Sequence, residues 1–166
     1  DLYKIFKDSA ETTGIIVFLI GVSSIMAWIL AFTGIPAAIS NALLGISNNK
    51  IVILLIINVI LLVVGTFMDI TPAILIFTPI FLPVVTSDLI GMTAIQFGIM
   101  LVFNLCIGTI TPPVGNILFV GVRVAKTSIE RVIKPLLPYY GVIILVLLLV
   151  TFVPAISMFL PRLMGF

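Results

Sequence analysis

Between positions 51 and 86 the chain carries a single charged side chain, Asp69, in the stretch Gly65-Thr66-Phe67-Met68-Asp69-Ile70-Thr71-Pro72. A carboxylate at the centre of a bilayer costs roughly 2.5–3.5 kcal/mol on insertion scales, so Asp69 calls for compensation. Two readings are open. In one, it caps the helix that follows or pairs with a base elsewhere in a longer protein. In the other, it helps to neutralise a bound cation, with Thr66, Thr71 and exposed carbonyls as oxygen donors. Oxygen donors alone suit a hard ion such as Na⁺ and offer nothing soft for a transition metal; proton coupling is the rival. A second stretch, Gly108-Thr109-Ile110-Thr111-Pro112-Pro113-Val114-Gly115, holds two Gly, two Thr and two Pro, more than one kink needs. It reads as an unwound segment, with Asn116 just beyond it able to donate or accept. Helix ends and unwound carbonyls can hold an anion and a cation together, and the two breaks read as halves of one site.

What surrounds them is apolar. The chain is 62% hydrophobic and 8% charged, with no His, and its long apolar runs belong in a membrane. The net charge of +2 is small, and the bases cluster between apolar segments, as orientation signals do; no nucleic-acid motif or partner is indicated. Cys106 is a lone thiol in an apolar run, which gives neither a disulfide framework nor a metal cluster. No Gly-rich phosphate loop with a Lys is present to suggest a pump. An intramembrane enzyme using Asp69 as acid or base lacks a neighbour, because Asp88 sits at the edge of its segment. A purely structural segment leaves the cost of Asp69 and of an unwound span unexplained. The start at Asp1 suggests part of a longer chain.

The elements follow from the punctuation. Residues 1–11, with Lys4, Lys7, Asp8 and Glu11, read as a water-facing stretch or a short helix along the membrane. A first span covers about 13–34, closed by Gly34 and Pro36, with Ser23 and Ser24 available for helix packing or for lining a site. Residues 36–50 are too short to span and read as an interfacial helix and turn. Residues 51–67 and 73–86 make two arms of about 25 and 21 Å, against a hydrocarbon core of about 30 Å. They read as a re-entrant hairpin over about 51–86 with Asp69 at its tip. Thr71 before Pro72 suits the N-cap and first position of the second arm, which Pro79 and Pro83 should bend. A broken span covers about 92–124: a half-helix over 92–107, the unwound 108–115 and a second half-helix over 116–124. There Thr111 before Pro112 repeats the capping pattern. Gln96 and Asn104 on this segment suit a site or interhelical hydrogen bonds equally. The last span covers about 136–160, with Tyr139 and Tyr140 near an interface. Arg123, Lys126, Arg131 and Lys134 place 123–135, and by parity 1–11, on the cytoplasmic side. The fold class is therefore an all-α integral membrane protein, a single membrane domain over 1–166.

The hairpin tip Gly65-Thr66-Phe67-Met68-Asp69, then Pro79-Ile80-Phe81-Leu82-Pro83, then residues 108–115 as quoted above, resemble one family in this order. It is the large membrane subunit of the tripartite ATP-independent periplasmic (TRAP) transporters. The resemblance covers essentially the whole chain as the carboxy-terminal half of that subunit, and Leu136-Leu137-Pro138 and Leu160-Pro161 fit it. It implies an elevator-type architecture with two inverted repeats, each holding a hairpin and a broken helix, in a bacterial or archaeal inner membrane. It also implies inward transport of an acidic solute such as a sialic acid or a C4-dicarboxylate, and no enzymatic activity. Na⁺ would be the coupling ion, with no other cofactor; a small membrane subunit and a periplasmic solute-binding protein would be the partners. On this chain, Gly65, Thr66, Met68, Asp69, Thr71, Gly108 and Thr109 would form the cation site or tip. Thr111, Pro112, Pro113, Gly115 and Asn116 would contribute half of the substrate site. The first repeat lies outside these residues, and no internal copy of the pattern occurs.

Overall fold

A computed structural model of the chain describes residues 2–47, 49–112 and 115–165. These form eight helices: α1 Leu2–Thr33, α2 Ile35–Ile46, α3 Lys50–Phe67, α4 Ile70–Val85, α5 Ala94–Ile110, α6 Asn116–Val124, α7 Ile129–Phe152 and α8 Pro154–Leu163.

The first difference from expectation is in α1. The polar stretch and the first span are one continuous helix of 32 residues, because nothing between Leu2 and Thr33 breaks a helix and a change from charged to apolar side chains is not a stop signal. Gly34 supplies the stop, at φ 70, a left-handed conformation that costs glycine little. Pro36 then falls in the first turn of α2, where its missing N–H is not needed. The side chains of Ser23 and Ser24 lie outside the described ones.

The arms of the hairpin are α3 and α4. Asn49 caps α3, its Oδ1 accepting from the Ile51 N–H at 2.9 Å. Residue pairs across the interface show how the helices run. Asn58 of α3 meets Asn104 of α5, and seven residues further along α3, Gly65 meets Gly108, so α3 and α5 are parallel. The turn after α4 brings the Met92 N–H to the Val85 carbonyl at 3.0 Å, so α4 runs back to the end where α5 begins. Tyr140 of α7 reaches Ile110 and Thr151 reaches Gln96, so α7 is antiparallel to α5. The central helix is thus α5, with α3, α4 and α7 around it, and the core between them includes Ile57, Leu61, Phe81, Phe97, Leu101 and Leu105.

By length and composition α3 and α7 can each cross a membrane, whereas α4 and α5 are shorter apolar helices. Val59, Val63 and Phe67 of α3 and Val142 and Leu145 of α7 are exposed, an outer surface suited to lipid or to further protein. The carboxy-terminal stretch also differs from expectation. Residues 136–160 are not one helix: α7 starts earlier, taking in Arg131 and Lys134, and stops at Val153, where Pro154 opens α8. A proline has no N–H for an interior helical bond and is tolerated in a first turn.

Candidate functional site

The hairpin tip is short. The Met68 N–H still closes α3 by donating to the Val64 carbonyl at 2.9 Å, and both Met68 and Asp69 have extended backbones. Helix α4 then begins at Ile70, two residues before the expected first position at Pro72, and its N-cap is Asp69: Oδ1 accepts from the Ile70 N–H at 2.8 Å. Thr71 is therefore not the cap. It is exposed at the second helical position, with Pro72 at the third, and the missing Pro72 N–H is harmless anywhere in the first turn. Asp69 itself is exposed, and among the described residues no base pairs with it. Met68 is half-buried against the core.

The second break is narrower than 108–115. Gly108 and Thr109 belong to α5, which continues to Ile110. The Thr111 N–H donates to the Gly108 carbonyl at 2.9 Å, and the Thr111 hydroxyl turns back to the Ile107 carbonyl at 2.6 Å. That backward bond is the common alternative to capping for Ser and Thr, so Thr111 terminates α5 and does not cap α6. The cap position of α6 is Gly115, left-handed at φ 42, with no side-chain hydrogen bond. Pro113 and Val114 lie outside the described residues, as does the side chain of Asn116, whose backbone opens α6.

The two breaks meet through their backbones. The Gly115 N–H donates to the Thr66 carbonyl at 3.2 Å, tying the start of α6 to the last turn of α3. One turn back on α5, Gly108 lies so close to Gly65 that a Cβ on Gly108 would stand 2.5 Å from the Gly65 Cα and carbonyl carbon. Small residues that let two backbones approach are the usual means of packing helices in lipid, where apolar burial supplies no drive. Thr66 and Thr109 are buried beside this contact, their hydroxyls donating to the Val63 and Cys106 carbonyls at 2.7 and 2.8 Å. Each hydroxyl oxygen keeps lone pairs for another partner. The junction gathers Gly65, Thr66, Gly108, Thr109 and Gly115; Asp69 and Thr71 remain on the exposed tip.

Tyr140 is a residue of this region that sequence reasoning placed at an interface. Its hydroxyl donates to the Ile110 carbonyl at the end of α5, and a hydroxyl carried into an apolar span is the sign that pointed there. Beside it, a groove of about 460 Å³ is lined by Thr66, Phe67, Thr111, Pro112, Leu137 and Tyr140, among others. Gln96 and Asn104 make interhelical hydrogen bonds, to the Thr151 carbonyl at 3.1 Å and to Asn58 Oδ1 at 2.6 Å.

Comparison with known proteins bears on the same residues. A protein from Salmonella typhimurium described as uncharacterized protein YgiK is 50% identical over 162 residues, which cover 98% of this chain and 37% of the relative. The isethionate TRAP transporter permease protein DctMQ of Oleidesulfovibrio alaskensis is 43% identical over 157 residues, covering 95% of this chain and 24% of the relative. The C4-dicarboxylate TRAP transporter large permease protein DctM of Vibrio cholerae is 39% identical over 157 residues, covering 95% and 34%. The chain thus spans about a third or less of the length of these relatives. Residues 1–156 match the family described as tripartite ATP-independent periplasmic transporter, DctM component; the chain belongs to that family, that of the TRAP large permeases, which are membrane transporters and not enzymes.

Proposed function

We propose that this chain is the carboxy-terminal repeat of a permease that couples entry of Na⁺ to uptake of an acidic organic solute, such as a sialic acid or a C4-dicarboxylate. The observation that carries the reading is the hydrogen bond from the Gly115 N–H to the Thr66 carbonyl, which makes the geometry of one break depend on the other. A hard cation held at this junction by the Thr66 and Thr109 hydroxyl oxygens and nearby carbonyls would tighten it. Asp69 at the tip would offset the cation's charge. The amino end of α6, with no side-chain cap, would present N–H groups and the positive end of its dipole to a solute carboxylate. Coupling then needs no further machinery, because an ion that orders the junction raises solute affinity by the factor by which the solute raises ion affinity.

In the same reading α3 and α4 re-enter the membrane from one face, and residues 1–11 and 123–135 lie on the cytoplasmic side of the inner membrane. The repeat moves as an elevator against the rest of the protein, with a small membrane subunit and a periplasmic solute-binding protein as partners. The solutes in the relatives' names, isethionate and C4-dicarboxylates, are organic acids, which favours an anion here.

The test is uptake of a labelled acidic solute by the complete protein and its partner subunits in proteoliposomes. Uptake is expected to require both an inward Na⁺ gradient and the binding protein. Equal uptake under a proton gradient without Na⁺ would reject Na⁺ coupling, and uptake without the binding protein would reject the tripartite assembly.

A further inference from the structure

Four polar side chains, Asn58, Gln96, Asn104 and Thr151, are buried where α3, α5 and α7 meet. The amide hydrogens of Asn104 are fully used: Nδ2 donates to Asn58 Oδ1 at 2.6 Å and to the Met100 carbonyl at 3.2 Å. Those of Asn58 are used unequally, since Nδ2 donates to the Leu54 carbonyl at 2.7 Å but meets only the Met100 sulfur, at 3.8 Å, with its other hydrogen. The Leu54 and Met100 carbonyls fix both amide orientations, because turning either side chain over would set oxygen against oxygen. The Thr151 hydroxyl lies 2.8 Å from the Leu147 carbonyl and 3.3 Å from Asn58 Oδ1, with one hydrogen for the two. This leaves Asn104 Oδ1 with no partner among the described residues, on a side chain that is 0% exposed.

A buried acceptor without a donor is costly, and buried polar atoms are almost always paired with protein or with ordered water. Because Asn104 is 0% exposed, the donor has to come from inside the cluster, and a small molecule there can supply it. We propose that one water molecule is bound here, donating to Asn104 Oδ1 and accepting from the Asn58 Nδ2 hydrogen that now faces the Met100 sulfur. A thioether is a weak acceptor on a flexible side chain, so Met100 yields the place to water. The site asks for a donor and an acceptor together, which water supplies and a cation does not. A cation would also have to share Asn58 Oδ1 with the two groups already directed at it. The water completes a polar link between α3, α5 and α7 about two helical turns along α3 from Gly65, and so helps to hold the three helices as one block behind the junction.

The test is a structure of the complete protein in lipid nanodiscs, at a resolution that shows ordered water, determined with Na⁺ and with choline in its place. Density within hydrogen-bond distance of both Asn104 Oδ1 and Asn58 Nδ2 is expected in both conditions. The Met100→Leu variant, close in volume, should keep it, since the thioether is not its partner. An empty cluster with Met100 still against Asn58 would overturn the proposal, as would loss of the density in Met100→Leu. Density present only with Na⁺ and surrounded by oxygens alone would overturn it in favour of a cation.

Discussion

At the hairpin tip, the helix that follows the break carries its own cap: Asp69 accepts from the next backbone N–H. At the second break, α6 starts at a left-handed glycine with no side-chain cap, and the described backbone link there is to α3. Both breaks combine Gly, Thr and Pro inside apolar helices, yet the helix after one is capped by a neighbouring side chain and the helix after the other is tied by its backbone to α3. The backbone link of the second break therefore depends on α3 standing beside it.

The sharpest way to break this contrast is Gly108→Ala. The added Cβ meets the Gly65 backbone at 2.5 Å, and no flexible side chain is there to yield. Overpacking of this kind costs about 1–3 kcal/mol, so thermal unfolding of the complete protein should move to lower temperature and uptake should be lost. Gly65→Ala, whose Cβ would lie 3.1–3.2 Å from Gly108 and Leu105 atoms, should be milder. Wild-type stability and uptake in Gly108→Ala would mean that the two breaks do not depend on each other. Gly115→Ala should come next. It places a Cβ at φ 42 and 2.9 Å from the Thr111 carbonyl oxygen, at about 1–2 kcal/mol, and should reduce uptake more than it reduces protein abundance.

Tyr140→Phe removes a hydrogen bond to the carbonyl at the end of α5, and a loss of about 0.5–1.5 kcal/mol is expected, measured by the same unfolding assay. The smallest stability effect belongs to Asp69→Asn, because Asn caps a helix about as well as Asp. Abundance and unfolding temperature should stay within error while Na⁺ activation of uptake weakens. Asp69→Ala, which loses the cap as well, should cost about 1 kcal/mol. If Asp69→Asn leaves Na⁺ activation unchanged, the carboxylate is only a cap.

The positions of the interruptions were legible because Gly and Pro act through the backbone alone. Gly34, the Met68–Asp69 step and the break before Asn116 all fall within stretches that their residue types singled out. The assignment of caps was not legible. Asp69 and Thr71 are both good N-cap residues and Pro72 fits either register, so residue type alone does not choose between them. Thr111 has the right type and neighbour for a cap, but α6 starts only at Asn116, so Thr111 instead ends α5 with its hydroxyl donating to the turn behind it. The length of α1 is not legible because a change of polarity looks like punctuation but does not stop a helix. The break at Pro154 is masked by the apolar run that continues beyond it. Asn58 is legible in principle, because an amide within an apolar helix is itself a sign of a buried partner.

The packing order has a consequence for synthesis. The two arms of the hairpin touch each other little; α3 packs mainly on α5, which is made after it, whereas α4 packs on α1 and α2, made before it, as well as on α5. A chain emerging in sequence therefore inserts α3 before its main packing surface exists, with the buried face of Asn58 still unaccommodated. Until α5 arrives, Asn58 lacks the Asn104 partner it has in the fold. Chains cut after residue 91 should be degraded in cells, while those extended through α7 should persist.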